Sequence, residues 1–436
     1  MGAFSVRDRV EQVLERLSDP ALDGTLACPT VYVETARAAA DAADRRRANG
    51  VSLGRLDGVL ITIKDLFDVA GEVTRAGSVA LATEGTVAHS DAFAVRRLRA
   101  GGAVVIAKTG MSEFAFSGVG ENPHFGTPRN PLDLSRLPGG SSAGAAVSVA
   151  RDFCDLAIGT DTGGSLRIPA ALCGLVGFKP TQSRVPRTGA YPLSSTLDCV
   201  GPIARTVTDC EAADEVLSGR GETKFRPAAL QSLRVGILQG MVLDGLDREV
   251  AAGFDFALAC LKDASVSLAD VVVPAVEGMR QVNGRGGLVA AEAFELHEHR
   301  LAGAVAIDPN ISARIERGRT IGAKDYIYTL RERQRLLGEW EESVSEFDVL
   351  VMPTVPILAP TFRQISTPEG FQERNALLLR NTSIGNFFDV PAISLTLGPR
   401  HPMVGLTLIG RRSMDLRLLS IARAVERALE AASIET

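Results

Sequence analysis

The sequence predicts an α/β fold with a largely buried sheet, and three observations carry that prediction. Apolar, β-branched runs such as "GVLITIK", "AVVIAK" and "FCDLAIG" alternate with segments of helical periodicity along most of the chain. The chain is long, with 436 residues of which 45% are apolar, enough to cover both faces of a sheet. Loops dense in Gly and Pro follow several of the strand-like runs.

The elements follow in order. Val6, Val10, Val13, Leu14 and Leu17 recur at helical spacing in "MGAFSVRDRVEQVLERL", with no long apolar core of the kind that spans or crosses a membrane. The Ala-rich "VETARAAADAADRRRANG" reads as a further helix stopped by Asn49-Gly50. "GRLDGVLITIKDLFDVAG" is a buried strand and its loop. "SDAFAVRRLRAGGAVVIAKTG" is a helix capped by Ser90 or Asp91, then a strand. After the loop "GVGENPHFGTPRNPLDLSRLPGG" come a small-residue helix, "SSAGAAVSVARD", the strand "FCDLAIG" and the tight loop "TDTGGSLRIP". The alternation continues with "RTVTDCEAADEVLSG" (helix), "SLRVGILQG" (strand), a helix over 247–263 and "VSLADVVVP" (strand). Residues 275–342 are mostly helical and charged. "FDVLVMPTVPILAP", "PAISLTL" and "VGLTLIG" return to strands, and "DLRLLSIARAVERALEAA" is a terminal helix. With no repeat, low-complexity tract or obvious linker, residues 1–436 read as one unit.

Composition narrows the function. A formal net charge of −5 offers no strong field for nucleic acid or acidic membranes, and aromatics, at 5%, are too sparse for base-stacking platforms. The six cysteines form no C-x-x-C pair and sit in apolar runs, the usage of a reduced, cytoplasmic protein.

The chemistry concentrates in "GTDTGGSLRIPAALCG", residues 159–174, where glycines let backbone N–H groups approach a ligand closely. For a phosphate, neither the P-loop string nor Gly-x-Gly-x-x-Gly occurs; what is left is an anion at the helix N-terminus of "PGGSSAGAA", through Ser141 and Ser142, a site with no cation partner in the sequence. A nucleophile reading for Ser165 requires a base. His89, His124, His297, His299 and His401 sit in polar loops, turns or an i, i+2 pair that shares no helix face, so neither a Ser-His arrangement nor a zinc site is supported. Lysine is the other candidate. Among 47 basic residues only six are lysines, yet Lys64, Lys108 and Lys179 end apolar runs. Burial there would lower a lysine pKa toward neutrality. Local sequence does not rank the three, and for at least two a stem packed on the sheet edge with its ammonium in water is the plainer reading.

"GVLITIKD", "PGGSSAGAA" and "GTDTGGSLRIPAALCGLVGFKPT", in that order, resemble the amidase signature family. The resemblance extends over "RVPRTGAYPLSSTLDCVGPIARTVTDC" and more loosely to "FDVLVMPTVP" and "VGLTLIGR". It implies a central mixed, twisted β-sheet covered by helices on both faces, a signature core over 50–220 and a helical substrate-side lobe over 275–345. It also implies a Ser–cis-Ser–Lys triad: Ser165 as nucleophile, Ser141 as bridging serine after a cis peptide bond, and Lys64 as base. The backbone N–H groups of Thr162, Gly163, Gly164 and Ser165 correspond to the family's oxyanion hole. By the same resemblance the chain hydrolyses a small carboxamide or related C–N bond through a Ser acyl-enzyme, with no metal or cofactor. Its partner is the small-molecule amide, not nucleic acid or membrane, and a homodimer is compatible. The family's alternative role is the glutamine-hydrolysing A subunit of a tRNA-dependent glutamine amidotransferase. Ser142 either joins the triad's hydrogen bonds or sits at a plain helix start. Met111, Phe114 and Phe116 either line the acyl pocket or pack the core. Asp161 and Arg167 read as a structural pair.

Overall fold

A computed structural model describes residues 5–219, 226–284, 286–303 and 305–434. Its centre is a sheet of eleven strands: β1 (Thr30–Val31), β2 (Leu60–Lys64), β3 (Val104–Thr109), β4 (Leu156–Asp161), β5 (Val176–Lys179), β6 (Cys199–Ala204), β7 (Arg234–Leu238), β8 (Ser267–Val271), β9 (Val349–Pro353), β10 (Ala392–Thr396) and β11 (Gly405–Ile409). They lie in the order β1-β3-β2-β4-β6-β5-β10-β11-β9-β7-β8. The sheet is mixed: β3, β2 and β4 run parallel, as do β9, β7 and β8, while the strands between them pair antiparallel. This is the α/β class the alternation predicts.

Helices cover both faces because the strands are apolar on both. Along β2 and β3 the side-chain period of two sorts the core. Ile61 and Ile63 belong to the large core that also takes in Val95 and Leu98 of the helix Phe93–Ala100, and the same core extends to Leu418 and Ala422 of the helix Asp415–Ile434, which covers β10 and β11. Val104 and Ile106 face the other way, against Val10 and Ala40 of the first two long helices. No helix of the described residues is long and apolar enough to cross a membrane. The six cysteines are unpaired and buried.

One feature departs from the sequence reading, and two lie in stretches that reading leaves unassigned. The helix Phe93–Ala100 is capped at Ala92, not at Ser90 or Asp91. Asp91 instead accepts from Ala70 N and pairs with Arg99, so its carboxylate is engaged across the fold. β6 contains Pro202 opposite Ile158 in an interior strand, a residue that speaks against a strand in sequence. The helix Pro368–Phe387 fills a stretch with no clear amphipathic face, because nine of its twenty residues are buried around the helix.

The small-residue helix Ala143–Ala150 sets the depth of the site below. A Cβ on Gly144 would lie 2.4 Å from Ala27 O and 2.6 Å from Gly110 N, so only glycine lets this helix reach the sheet edge. Gly144→Ala therefore lowers the free energy of unfolding by about 1–3 kcal/mol in urea melts. Gly338→Ala, on a helix with nothing within 4 Å, raises it by about 0.4–1 kcal/mol.

Candidate active site

Lys64 ends β2 on the same face as Thr62, two residues earlier. Thr62 Oγ1 hydrogen-bonds Ser148 of the helix Ala143–Ala150 at 2.9 Å, so the face carrying Lys64 is the one that helix covers. The chain enters the helix through Ser141 and Ser142. Lys64 Nζ consequently meets Ser141 Oγ, donating at 2.7 Å, and Thr160 Oγ1 at the end of β4 at 3.1 Å. Both Lys64 and Ser141 are wholly buried. The Gly140–Ser141 peptide bond is cis. Burial drives the Lys64 pKa down to about 7, against the pull of Asp198 and Asp161 in the other direction. Burial thus brings the neutral amine within reach near neutral pH.

Three strand-end lysines compete in the sequence, and the structure separates them. Lys108 faces Glu72 at 3.3 Å. Lys179 donates to Pro180 O at 2.7 Å. Neither reaches a serine hydroxyl, and neither extends to water: both are buried, which corrects the expectation of ammonium groups leaning out from the sheet edge. The strands' neighbours close over them too completely.

β4 delivers the second half of the site. Beyond Asp161 the chain turns through Thr162, Gly163, Gly164 and Ser165. Gly164 has φ +139°, and a Cβ there would lie 2.2 Å from Thr382 Oγ1, so the turn demands glycine. Thr382 Oγ1 donates to Gly163 O at 2.6 Å. Thr162 Oγ1 donates to Asp198 Oδ1 at 2.5 Å. Asp161 and Arg167 form the fully buried structural pair expected, at 2.9 Å. Arg167 also donates to Asn386 Oδ1 at 2.7 Å, and Asn386 Nδ2 donates to Asp161 O at 2.8 Å. Burial works to raise the Asp161 pKa, but Arg167 more than offsets this and holds it below the usual range. The turn is therefore clamped from below by an ion pair and from the side by the helix Pro368–Phe387.

Ser165, Thr162 and Gly163 line a cavity of about 740 Å³, within the range of small-molecule sites. Among the described residues no hydrogen bond joins Ser141 Oγ to Ser165 Oγ. Ser142 is buried and its hydroxyl donates to Thr160 O at 3.4 Å. Of the aromatic and thioether candidates only Phe116 lines the cavity. Phe114, held at φ +52°, turns its ring onto His297, 3.9 Å between centroids. Met111 packs in the same core. For these two, core packing is the alternative of the pair that the geometry favours. His297 is kept neutral, its pKa pushed down to about 3 by burial and then by Arg300. None of the histidines is among the described lining residues.

Sequence reasoning passes over Asp198, Thr160, Thr382 and Asn386. Asp198 has a signal, an acid set among the apolar residues of "LDCVG". The other three are ordinary polar residues until the fold brings them together.

A glycine-lined turn at the carboxyl end of a strand, opening into a cavity and backed by a buried amine, defines an enzyme acting on a small molecule. Comparison with known proteins gives the family. The amidase family model matches residues 8–419. The chain is 37% identical over 399 residues to 2-amino-5-chloromuconic acid deaminase of Comamonas testosteroni, covering 90% of this chain and 86% of that one. It is 35% identical over 470 residues to the glutamyl-tRNA(Gln) amidotransferase A subunit of Anaeromyxobacter sp. (strain K), covering 98% and 94%. A solved amidase superposes with a TM-score of 0.84 at 33% identity, covering 97% and 96%. The chain belongs to the amidase family, and it is an amidohydrolase.

The buried lysine has a thermodynamic consequence. With a pKa near 7 in the native state and 10.5 as the ordinary value, Lys64 carries fewer protons folded than unfolded between those limits. The cost of burying it is fully present below pH 7 and disappears as pH rises toward 10.5. Lys64→Met is accordingly more stable than the parent protein at pH 6 by about 4 kcal/mol, and the difference in urea melts shrinks steadily up to pH 10.

Proposed function

We propose that this chain hydrolyses a small carboxamide, or a related C–N bond, with Ser165 as nucleophile, Ser141 as proton relay and Lys64 as base. The observation that carries the reading is the 2.7 Å contact from Lys64 Nζ to Ser141 Oγ, between two wholly buried side chains. A serine hydroxyl is a poor nucleophile until a base removes its proton. Neutral Lys64 accepts a proton from Ser141 Oγ as Ser141 takes one from Ser165. That relay needs the Ser165 hydroxyl within hydrogen-bond reach of Ser141 when substrate is bound.

Ser165 Oγ then bonds to the amide carbon and the carbonyl oxygen becomes an oxyanion. The N–H groups of Thr162, Gly163, Gly164 and Ser165 receive that charge. Their turn is held by Thr382 and Asp198 before substrate arrives, so little reorganisation is needed as charge develops. When the C–N bond breaks, Ser141 gives its proton to the departing nitrogen and Lys64 returns one to Ser141. Water next attacks the acyl-enzyme by the reverse relay, releasing the carboxylate and restoring Ser165.

A second reading, the ammonia-releasing component of a glutamyl-tRNA(Gln) amidotransferase, is favoured by the 35% identity over 98% of the chain. The two differ in what the isolated chain does. A stand-alone amidase releases ammonia from simple amides with no other protein present.

Ser165→Ala lowers kcat for such amides by about 10⁴-fold or more with circular dichroism unchanged. In the parent enzyme kcat/KM rises with pH and levels off above a midpoint near 7, the limb set by deprotonation of Lys64. A histidine variant that abolishes activity while Lys64→Ala leaves it intact contradicts the assignment.

A further inference from the structure

The turn that leads to Ser165 is tied through hydroxyl groups to a helix far along the chain. Glu292 lies on the helix Gly287–Leu301, whose first residues Leu288, Val289 and Ala290 line the cavity beside Ser165. Although the chain holds 47 basic residues, no cation among the described residues pairs with this carboxylate. Its partners are neutral donors. Ser194 Oγ donates to Oε2, Thr196 Oγ1 to Oε1 at 2.8 Å, and Thr196 N to Oε2 at 3.4 Å. Tyr326 Oη, on the helix Ala323–Ser343, donates to Oε1 at 2.7 Å. Each oxygen thus takes two donors, which fills the acceptor sites of a carboxylate. Bonds to an ionised acceptor are also the stronger kind.

The segment that Glu292 grips has no regular structure to hold it. Residues 193–198 are neither helix nor strand, and they close on themselves around Asp198. Leu193 N and Ser194 N both donate to Asp198 Oδ2 at 3.0 Å, and Asp198 N donates to Ser194 O at 3.0 Å. The other oxygen, Oδ1, accepts from Thr162 Oγ1. Ser194 is the meeting point. Its backbone holds Asp198, which holds Thr162, while its hydroxyl is held by Glu292. Ser194, Asp198 and Thr162 are all buried, so water does not compete for these bonds. The same segment sets Leu193 and Leu197 in the cavity wall.

A reacting group tolerates little displacement: a shift of about 1 Å costs a rate of about 10²-fold. Groups that touch substrate are kept in place by the bonds of the residues behind them. We propose that Glu292 is a positioning residue, which through Ser194 and Asp198 fixes Thr162, so that the helix walling the cavity also aims the turn that receives the oxyanion. This role presupposes the amidase reading and adds to it a coupling between the cavity wall and the turn.

Steady-state kinetics on a small amide test it, with circular dichroism confirming the fold of each variant. Glu292→Gln keeps the size of the side chain but sets an amide N–H₂ against donors, Thr196 N among them. In this variant kcat falls by about tenfold while KM moves by less than about threefold, since the aim of the turn matters only as charge develops. Thr162→Val removes the hydroxyl that reaches Asp198, and in that background Glu292→Gln costs about twofold or less, whereas independent losses would multiply. Thr162→Ser keeps the hydroxyl and with it the full effect of Glu292→Gln. If Glu292→Gln does not fold, Tyr326→Phe takes one donor from the same carboxylate, with a loss of about threefold that likewise vanishes in Thr162→Val.

A folded Glu292→Gln with kcat close to that of the parent, or losses that multiply in the double variant, overturns the coupling and leaves the amidase reading standing. If the parent hydrolyses no amide, the amidase reading is what fails, and hydrogen exchange decides the coupling separately. Exchange of the Leu193 and Ser194 amides about tenfold faster in Glu292→Gln supports it, and an unchanged rate overturns it.

Discussion

An ammonium group does not enter a protein interior without cost, and the site of this enzyme is organised around that fact. Lys64 has no exposure and no contacting carboxylate; its two side-chain partners are hydroxyls, Ser141 and Thr160. Hydroxyls accept from a neutral amine as readily as they solvate a charged one, so the pocket does not force the proton to stay. Asp198 and Asp161 act on Lys64 as charges rather than as ion-pair partners. Burial wins, and the amine is left able to accept a proton near neutral pH.

The rest of the site keeps that pocket buried and holds the glycine turn before Ser165 in place. The glycine at 144 lets a helix of small residues seal the end of β2, carrying Ser141 to the lysine. The Asp161–Arg167 pair is completely buried and further bonded by Asn386, so neither charge is left uncompensated. Replacing one partner would strand the other, which is the expensive way to lose a buried pair. Two loops and three helices remote in sequence are thus fixed to one another at the carboxyl ends of adjacent parallel strands.

Much of this is legible in the sequence because it is local. The strand-end lysine, the Gly-Gly-Ser turn and the run of small residues each state their geometry over a few positions. The resemblance to a family supplies their pairing, since three lysines end apolar runs and local sequence cannot choose among them. What is not legible depends on distant contacts. The helix Pro368–Phe387 shows no amphipathic face because it is packed on several sides. Pro202 disguises an interior strand. Phe114 looks like a pocket residue until its positive φ turns the ring onto His297.

The scarcity of lysine makes the central claim directly measurable. With six lysines in the chain, the Cε and Nζ resonances of a lysine-labelled sample can be followed individually by NMR through a pH titration. The account predicts one lysine with a midpoint near 7, absent from the spectrum of Lys64→Met. A spectrum in which the resonance assigned to Lys64 stays fully protonated up to pH 10 would contradict it.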